Sequence, residues 1–127
     1  MHILFVCTGN ICRSPTAERL VQAYSLRHLD DPSQLTASSA GTRAVYGSGV
    51  EPNAALVLQS LGGDPTGFVA RQVQPEDVTD AHLVLAMTGK HRATVLGASP
   101  RALQRSFTLL EARSLLDLVP REELPPA

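Results

Sequence analysis

Cys7 and Arg13 are separated by Thr8-Gly9-Asn10-Ile11-Cys12 and followed by Ser14-Pro15, and the apolar run Ile3–Val6 leads into the cysteine. A cysteine where a short buried strand ends and a helix is about to begin stands where open α/β sheets bind their ligands. Gly9 and Asn10 both tolerate positive φ, so Thr8–Cys12 is expected to curl with its N–H groups inward. Such a nest of amides at a helix N-terminus binds phosphate or a related oxyanion. Arg13 adds a fork that matches two oxygens of a tetrahedral anion. These surroundings are expected to depress the Cys7 thiol below its free value of about 8.5, giving a thiolate at neutral pH without a dedicated base. A thiolate in a phosphate cradle attacks phosphorus in line. A phosphocysteine forms, the N–H ring and Arg13 hold the equatorial oxygens, and water then hydrolyses the intermediate. This chemistry calls for no metal and no cofactor. A long phenolic stem reaches a sulfur at the bottom of such a ring; phosphoserine is short for it.

The Cys-x5-Arg spacing alone is weakly specific, and its bland alternative is a structural cysteine before an ordinary strand-to-helix turn. The flanking elements strengthen it. Ile3–Val6 reads as a buried parallel strand. Ser14, Pro15 and Glu18 read as a helix start, continued by a stripe of Leu20, Val21, Tyr24 and Leu26. Further strands are expected at Leu35–Ser39, Leu83–Met87 and Phe107–Leu110, with Phe68–Val73 extended. Helices are expected at Pro52–Leu61, with Ala55, Leu58 and Leu61 on one face, at Lys90–Leu96 and at Glu111–Leu118; Pro75–Thr79 reads as a turn or short helix. The tail from Pro120 to Ala127 is polar and rich in proline, and it is expected to fray. Strands alternating with helices imply βαβ units, a parallel sheet and helices on both faces.

The 127 residues suit one domain, 1–127, with one core; 43% hydrophobic and 18% charged residues fit a globular chain. A net charge of −1 offers no basic field for nucleic acid or an anionic membrane. No apolar stretch approaches a membrane span, and Ile3–Val6 is too short for a signal peptide, so the cytoplasm is the expected compartment. Two cysteines so close together are no disulfide framework. His2, His28, His82 and His91 are scattered without ligand spacing and read as surface or strand-flanking residues. Lys90 is the only lysine among many arginines, a bias attributed to the genome.

The block Val6-Cys7-Thr8-Gly9-Asn10-Ile11-Cys12-Arg13-Ser14-Pro15-Thr16-Ala17-Glu18 closely resembles the signature of low-molecular-weight protein-tyrosine phosphatases. Supporting likeness runs through Ser39-Ala40-Gly41-Thr42, Ala70-Arg71, Leu83-Val84-Leu85-Ala86-Met87-Thr88, His91-Arg92 and Phe107-Thr108-Leu109, and so covers the chain to about residue 118. The resemblance implies a three-layer α/β sandwich with a four-stranded parallel sheet, acting on tyrosine-phosphorylated protein. It implies Cys7 as nucleophile, Arg13 as phosphate clamp and Thr8–Ser14 as the binding loop. Ser14 would hydrogen-bond the thiolate, Asn10 would hold the loop's strained conformation, and Ser39 and Glu18 would support it. Tyr46 would wall the cleft and pack on the substrate ring. Cys12 would trap an oxidised Cys7 as a disulfide.

One part of the family pattern is not found. The family uses an aspartate followed by proline, late in the chain, to protonate the leaving oxygen. Asp31-Pro32 and Asp64-Pro65 come too early and read as turns. Asp117 is the only late aspartate and lacks the adjoining proline; Glu122 and Glu123 are nearer in spacing but lie in the polar tail. The family's final helix is missing as well. Either the chain is truncated, or it is a short form with weak or no catalysis. Two rivals to phosphotyrosine hydrolysis follow: a phosphate-binding module that has lost catalysis, and an arsenate reductase, which normally needs a cysteine beyond the loop.

Overall fold

The computed structural model describes residues 1–118. Four strands form one sheet: β1 (His2–Cys7), β2 (Thr36–Gly41), β3 (Leu83–Ala86) and β4 (Ser106–Thr108). The order is β2-β1-β3-β4 and every pair is parallel. The helices are α1 (Arg13–His28), α2 (Pro52–Ser60), α3 (Pro75–Asp80), α4 (Gly89–Ala98) and α5 (Leu109–Asp117), with short 3-10 turns at Pro32–Gln34 and Pro100–Arg105. The expected α/β sandwich is therefore present, with helices on both faces.

Alternation along β1 builds two cores. Leu4 and Val6 turn to one face, where they meet Ala40, Val84, Val78 and Ala81 of α3 and its exit, and Val95 of α4. Phe5 turns to the other, with Ala37 and Leu85, against Ala17 and Val21 of α1 and Ala112 of α5. Leu4, Val6, Val84 and Leu58 are fully buried, each worth about 1.5–3 kcal/mol over exposure. Because β1 is central and both neighbours are parallel, its carboxyl end, Cys7, lies mid-sheet on the edge where α1 and α4 begin.

Several elements differ from expectation, each for a local reason. β2 runs on to Gly41, although Ala-Ser-Ser-Ala-Gly has little strand propensity, because it pairs with β1 from His2↔Thr36 to Cys7↔Gly41. β4 stops at Thr108, which caps α5: Thr108 Oγ1 accepts from the Glu111 N–H (3.1 Å), and the Glu111 carboxylate accepts from the Thr108 N–H (3.0 Å). Leu109 and Leu110 thereby open the helix. On α1 the buried residues are Ser14, Pro15, Glu18 and Ser25, while Tyr24 and Leu26 are exposed. That face is partly polar because it meets hydrogen-bond partners; Ser25 Oγ donates to the Leu35 carbonyl at 2.7 Å. In α2 only Leu58 is buried and Leu61 is exposed. The Phe68–Val73 segment touches the sheet at one bridge, Gly41↔Gln72. The tail from residue 119 to 127, with the Glu122 and Glu123 candidates, lies outside the described residues.

Candidate active site

The loop from Cys7 to Arg13 is held from outside by its carbonyls. The N–H groups of Thr42, Arg43, Val45 and Glu51 donate to the carbonyls of Cys7, Thr8, Gly9 and Ile11 at 2.9, 3.0, 2.9 and 2.7 Å. The Cys12 carbonyl accepts from the Thr16 N–H at 3.2 Å. In a trans peptide, C=O and the next N–H point in opposite directions. Carbonyls pulled outward therefore turn the N–H groups of Thr8, Gly9, Asn10, Cys12 and Arg13 to the inner side. The segment Thr42–Glu51 is thus the jig on which the ring is bent, and the Gln72 side chain steadies it through the Ala44 N–H (3.0 Å) and the Thr42 carbonyl (2.8 Å). Gly41 permits the close approach: a Cβ there would run into the Thr8 carbonyl oxygen. The α1 N-terminus has no side-chain cap, so its free amides face the same place.

Asn10 adopts φ +58°, the one positive φ outside glycine among the described residues; Gly9, expected to share that role, is not among the positive-φ glycines. Three hydrogen bonds stabilise the buried Asn10 in this conformation. Its Oδ1 accepts from the Arg71 N–H (2.9 Å), which orients the amide. Its Nδ2 donates to Ser14 Oγ (2.9 Å) and to Ser39 Oγ (3.0 Å). Ser39 Oγ donates to Glu18 Oε1 at 3.0 Å, and Arg19 Nε donates to Glu18 Oε2 at 3.0 Å. Because Ser14 Oγ accepts from Asn10, its proton is free for Cys7 Sγ, 2.8 Å away. Cys7 and Ser14 are both buried. Burial pushes the Glu18 carboxyl up, against the pull of Ser39 and Arg19.

The remaining candidates take up different positions. Arg13 opens α1, exposed, beside the loop. Cys12 Sγ lies 4.0 Å from Glu51 Oε2; burial and then the Glu51 and Cys7 charges push its thiol up. Both cysteines are free thiols. Tyr46 is 83% exposed and follows Val45, whose N–H holds Gly9, so it stands at the rim. An apolar cavity of about 550 Å³, reaching from Cys12 and Arg13 to Val57 and Leu110, adjoins the loop. Asp117 makes no hydrogen bond or ion pair with the loop among the described residues. It is the exposed last residue of α5, about 12 Å along the helix axis from Leu109, which lines that cavity. His91, which the sequence suggested as a surface or strand-flanking residue, is instead buried, with its ring against Thr8. Its position three residues after a Thr cap, at the end of a strand beside that of Cys7, is the signal that could have found it. Among the described residues, no group of three or more His, Cys, Asp or Glu is placed to hold a metal ion.

A parallel α/β sheet carrying a buried thiol at the base of a helix-terminal amide ring defines a cysteine-based oxyanion-binding enzyme class. Comparison narrows the class. The chain belongs to the low molecular weight phosphotyrosine protein phosphatase family, whose sequence model matches residues 2–114. It is 39% identical over 98 residues to the low molecular weight protein-tyrosine-phosphatase Wzb of Salmonella typhi, covering 77% of this chain and 61% of that protein. It is 36% identical over 108 residues to the protein-arginine-phosphatase of Geobacillus stearothermophilus, covering 85% of this chain and 68% of that one. Among solved structures, the low molecular weight protein tyrosine phosphatase from T. tengcongensis superposes with a TM-score of 0.80 at 37% identity, covering 88% and 75% of the two chains. The chain thus spans about three fifths of the length of the Wzb relative.

Proposed function

We propose that this protein hydrolyses phosphotyrosine on proteins, and aryl phosphates generally, through a phosphocysteine. The observation that carries the reading is Cys7 Sγ 2.8 Å from the Ser14 hydroxyl, which can donate to it, under a loop whose carbonyls are turned outward. Cys7 attacks phosphorus as a thiolate, and the bond to the phenolic oxygen breaks, its electron pair leaving with that oxygen. The inward amides and Arg13 stabilise the equatorial oxygens as charge shifts, and Ser14 stabilises the sulfur when water later displaces it. Asn10, Ser39 and Glu18 keep Ser14 and the left-handed residue in place. Tyr46 at the rim supports an aromatic stem over the shorter phosphoserine. The reading places the protein in the cytoplasm, where thiols stay reduced; no helix among the described residues is long and apolar enough to cross a membrane.

The test is turnover of para-nitrophenyl phosphate and a phosphotyrosine peptide against a Cys7→Ser control, with a phosphoarginine peptide alongside. Activity above the control with preference for the tyrosine peptide is expected. Phosphate binding without turnover would replace the enzyme by a phosphate-binding module. Preference for phosphoarginine would move the substrate toward that named for the Geobacillus relative.

A further inference from the structure

His91 lies at the same end of the sheet as Cys7 and takes no part in the reaction as described. β3 and β1 are adjacent, with Val6 opposite Ala86, so Thr88, which caps α4, sits beside the start of the loop. The His91 ring, only 6% exposed, fills the space between. Its Nδ1 is 3.2 Å from the Thr88 backbone nitrogen and its Nε2 is 2.8 Å from Thr8 Oγ1. A backbone N–H can only donate, so Nδ1 accepts, and the single proton of the neutral ring sits on Nε2. That N–H donates to Thr8 Oγ1. An imidazolium would set a second N–H against that of Thr88. Burial and the nearby Arg13 cation also favour the neutral ring. Thr8, the residue after the nucleophile, is therefore gripped twice: the Arg43 N–H holds its carbonyl at 3.0 Å and His91 holds its side chain.

We propose that His91 is a positioning residue for the phosphatase reaction: as its Nε2–H tautomer it locks Thr8, and with it the first amides of the anion ring, in the geometry the transition state needs. The proposal rests on the phosphatase reading above. The tautomer is read from the His91 ring ¹⁵N shifts of the intact protein; Nε2–H is expected, and a proton on Nδ1 overturns the proposal. With para-nitrophenyl phosphate, His91→Ala is expected to lower kcat about tenfold with KM nearly unchanged, the loss of one well-placed hydrogen bond. His91→Gln, whose amide N–H reaches as far as Nε2, should restore most of that loss. Thr8→Val should match His91→Ala, and the double variant should fall no further. Thr8 is exposed, so Thr8→Val keeps the test available if His91→Ala does not fold. A His91→Ala or Thr8→Val protein with parental kcat, altered only in melting temperature, overturns the proposal while the phosphatase reading stands. A parent no faster than Cys7→Ser overturns both.

Discussion

Truncating Ser39 to alanine tests whether the polar relay beneath the loop holds it. The Ser39 hydroxyl is the link between Asn10 Nδ2 and Glu18 Oε1, at 3.0 Å from each. Ser39→Ala leaves an Asn10 N–H without an acceptor and takes a donor from a buried carboxylate. A buried polar group left unsatisfied costs about 1–3 kcal/mol. For a domain of this size that lowers Tm by ~4 °C per kcal/mol, a fall of about 4–12 °C at neutral pH. The pH dependence supplies a second signature. Burial raises Glu18 above its ordinary 4.5, and the Ser39 hydroxyl is the first of the groups opposing that rise. A carboxyl raised in the folded state contributes stability that is fully present below 4.5 and is lost as pH rises through the folded value. Removing Ser39 raises that value further, so the deficit against the parent should grow from near pH 4.5 to neutral pH, above a constant part from the unpaired Asn10 N–H that remains at every pH. Glu18→Gln, which keeps an acceptor for Ser39 without the buried charge, should flatten the dependence. Thermal melts across this range decide it. A Tm shift under about 1 °C, or a deficit larger in acid than at neutrality, refutes the relay.

Gly41→Ala should displace the Thr8 carbonyl and lower kcat by up to about 10²-fold, the cost of an ångström-scale misplacement; an unchanged kcat would show that the close approach is not needed. Cys12→Ser should recover less activity than the parent after peroxide followed by reductant, because Cys7 loses the partner that would protect it as a disulfide; equal recovery refutes the pairing. Asp117→Asn should leave kcat within about twofold, given its place at the far end of α5; a loss approaching 10²-fold, with the acidic limb of the pH-rate profile gone, would assign it the proton donation after all.

The position of Cys7 at a strand end, of Arg13 at a helix start and of the loop between them was legible because each rests on local signals: an apolar run, residues that bend, and a proline opening a helix. Asn10 was legible for the same reason, since left-handed backbone outside glycine favours Asn. What the sequence hid depends on pairing across the sheet. The outward carbonyls need Thr42, Arg43, Val45 and Glu51, whose types matter less than their backbone N–H groups. The buried face of α1 escaped an apolar-stripe search because Ser14, Glu18 and Ser25 are satisfied by residues far along the chain. His91 joins the loop across a sequence distance of 83 residues, which no local pattern encodes.

That β1 is central and parallel to both neighbours also sets the order in which the protein can assemble. Cys7 is synthesised well before β3, which forms one flank of its strand, and before His91, whose ring lies beside the loop, both some 80 residues later. At a translation rate of about 5–20 residues per second, the nascent thiol waits roughly 4–16 s before the sheet can close around it. Until those long-range pairings form, Cys7 is an open thiol without the strand and ring that enclose it in the folded protein.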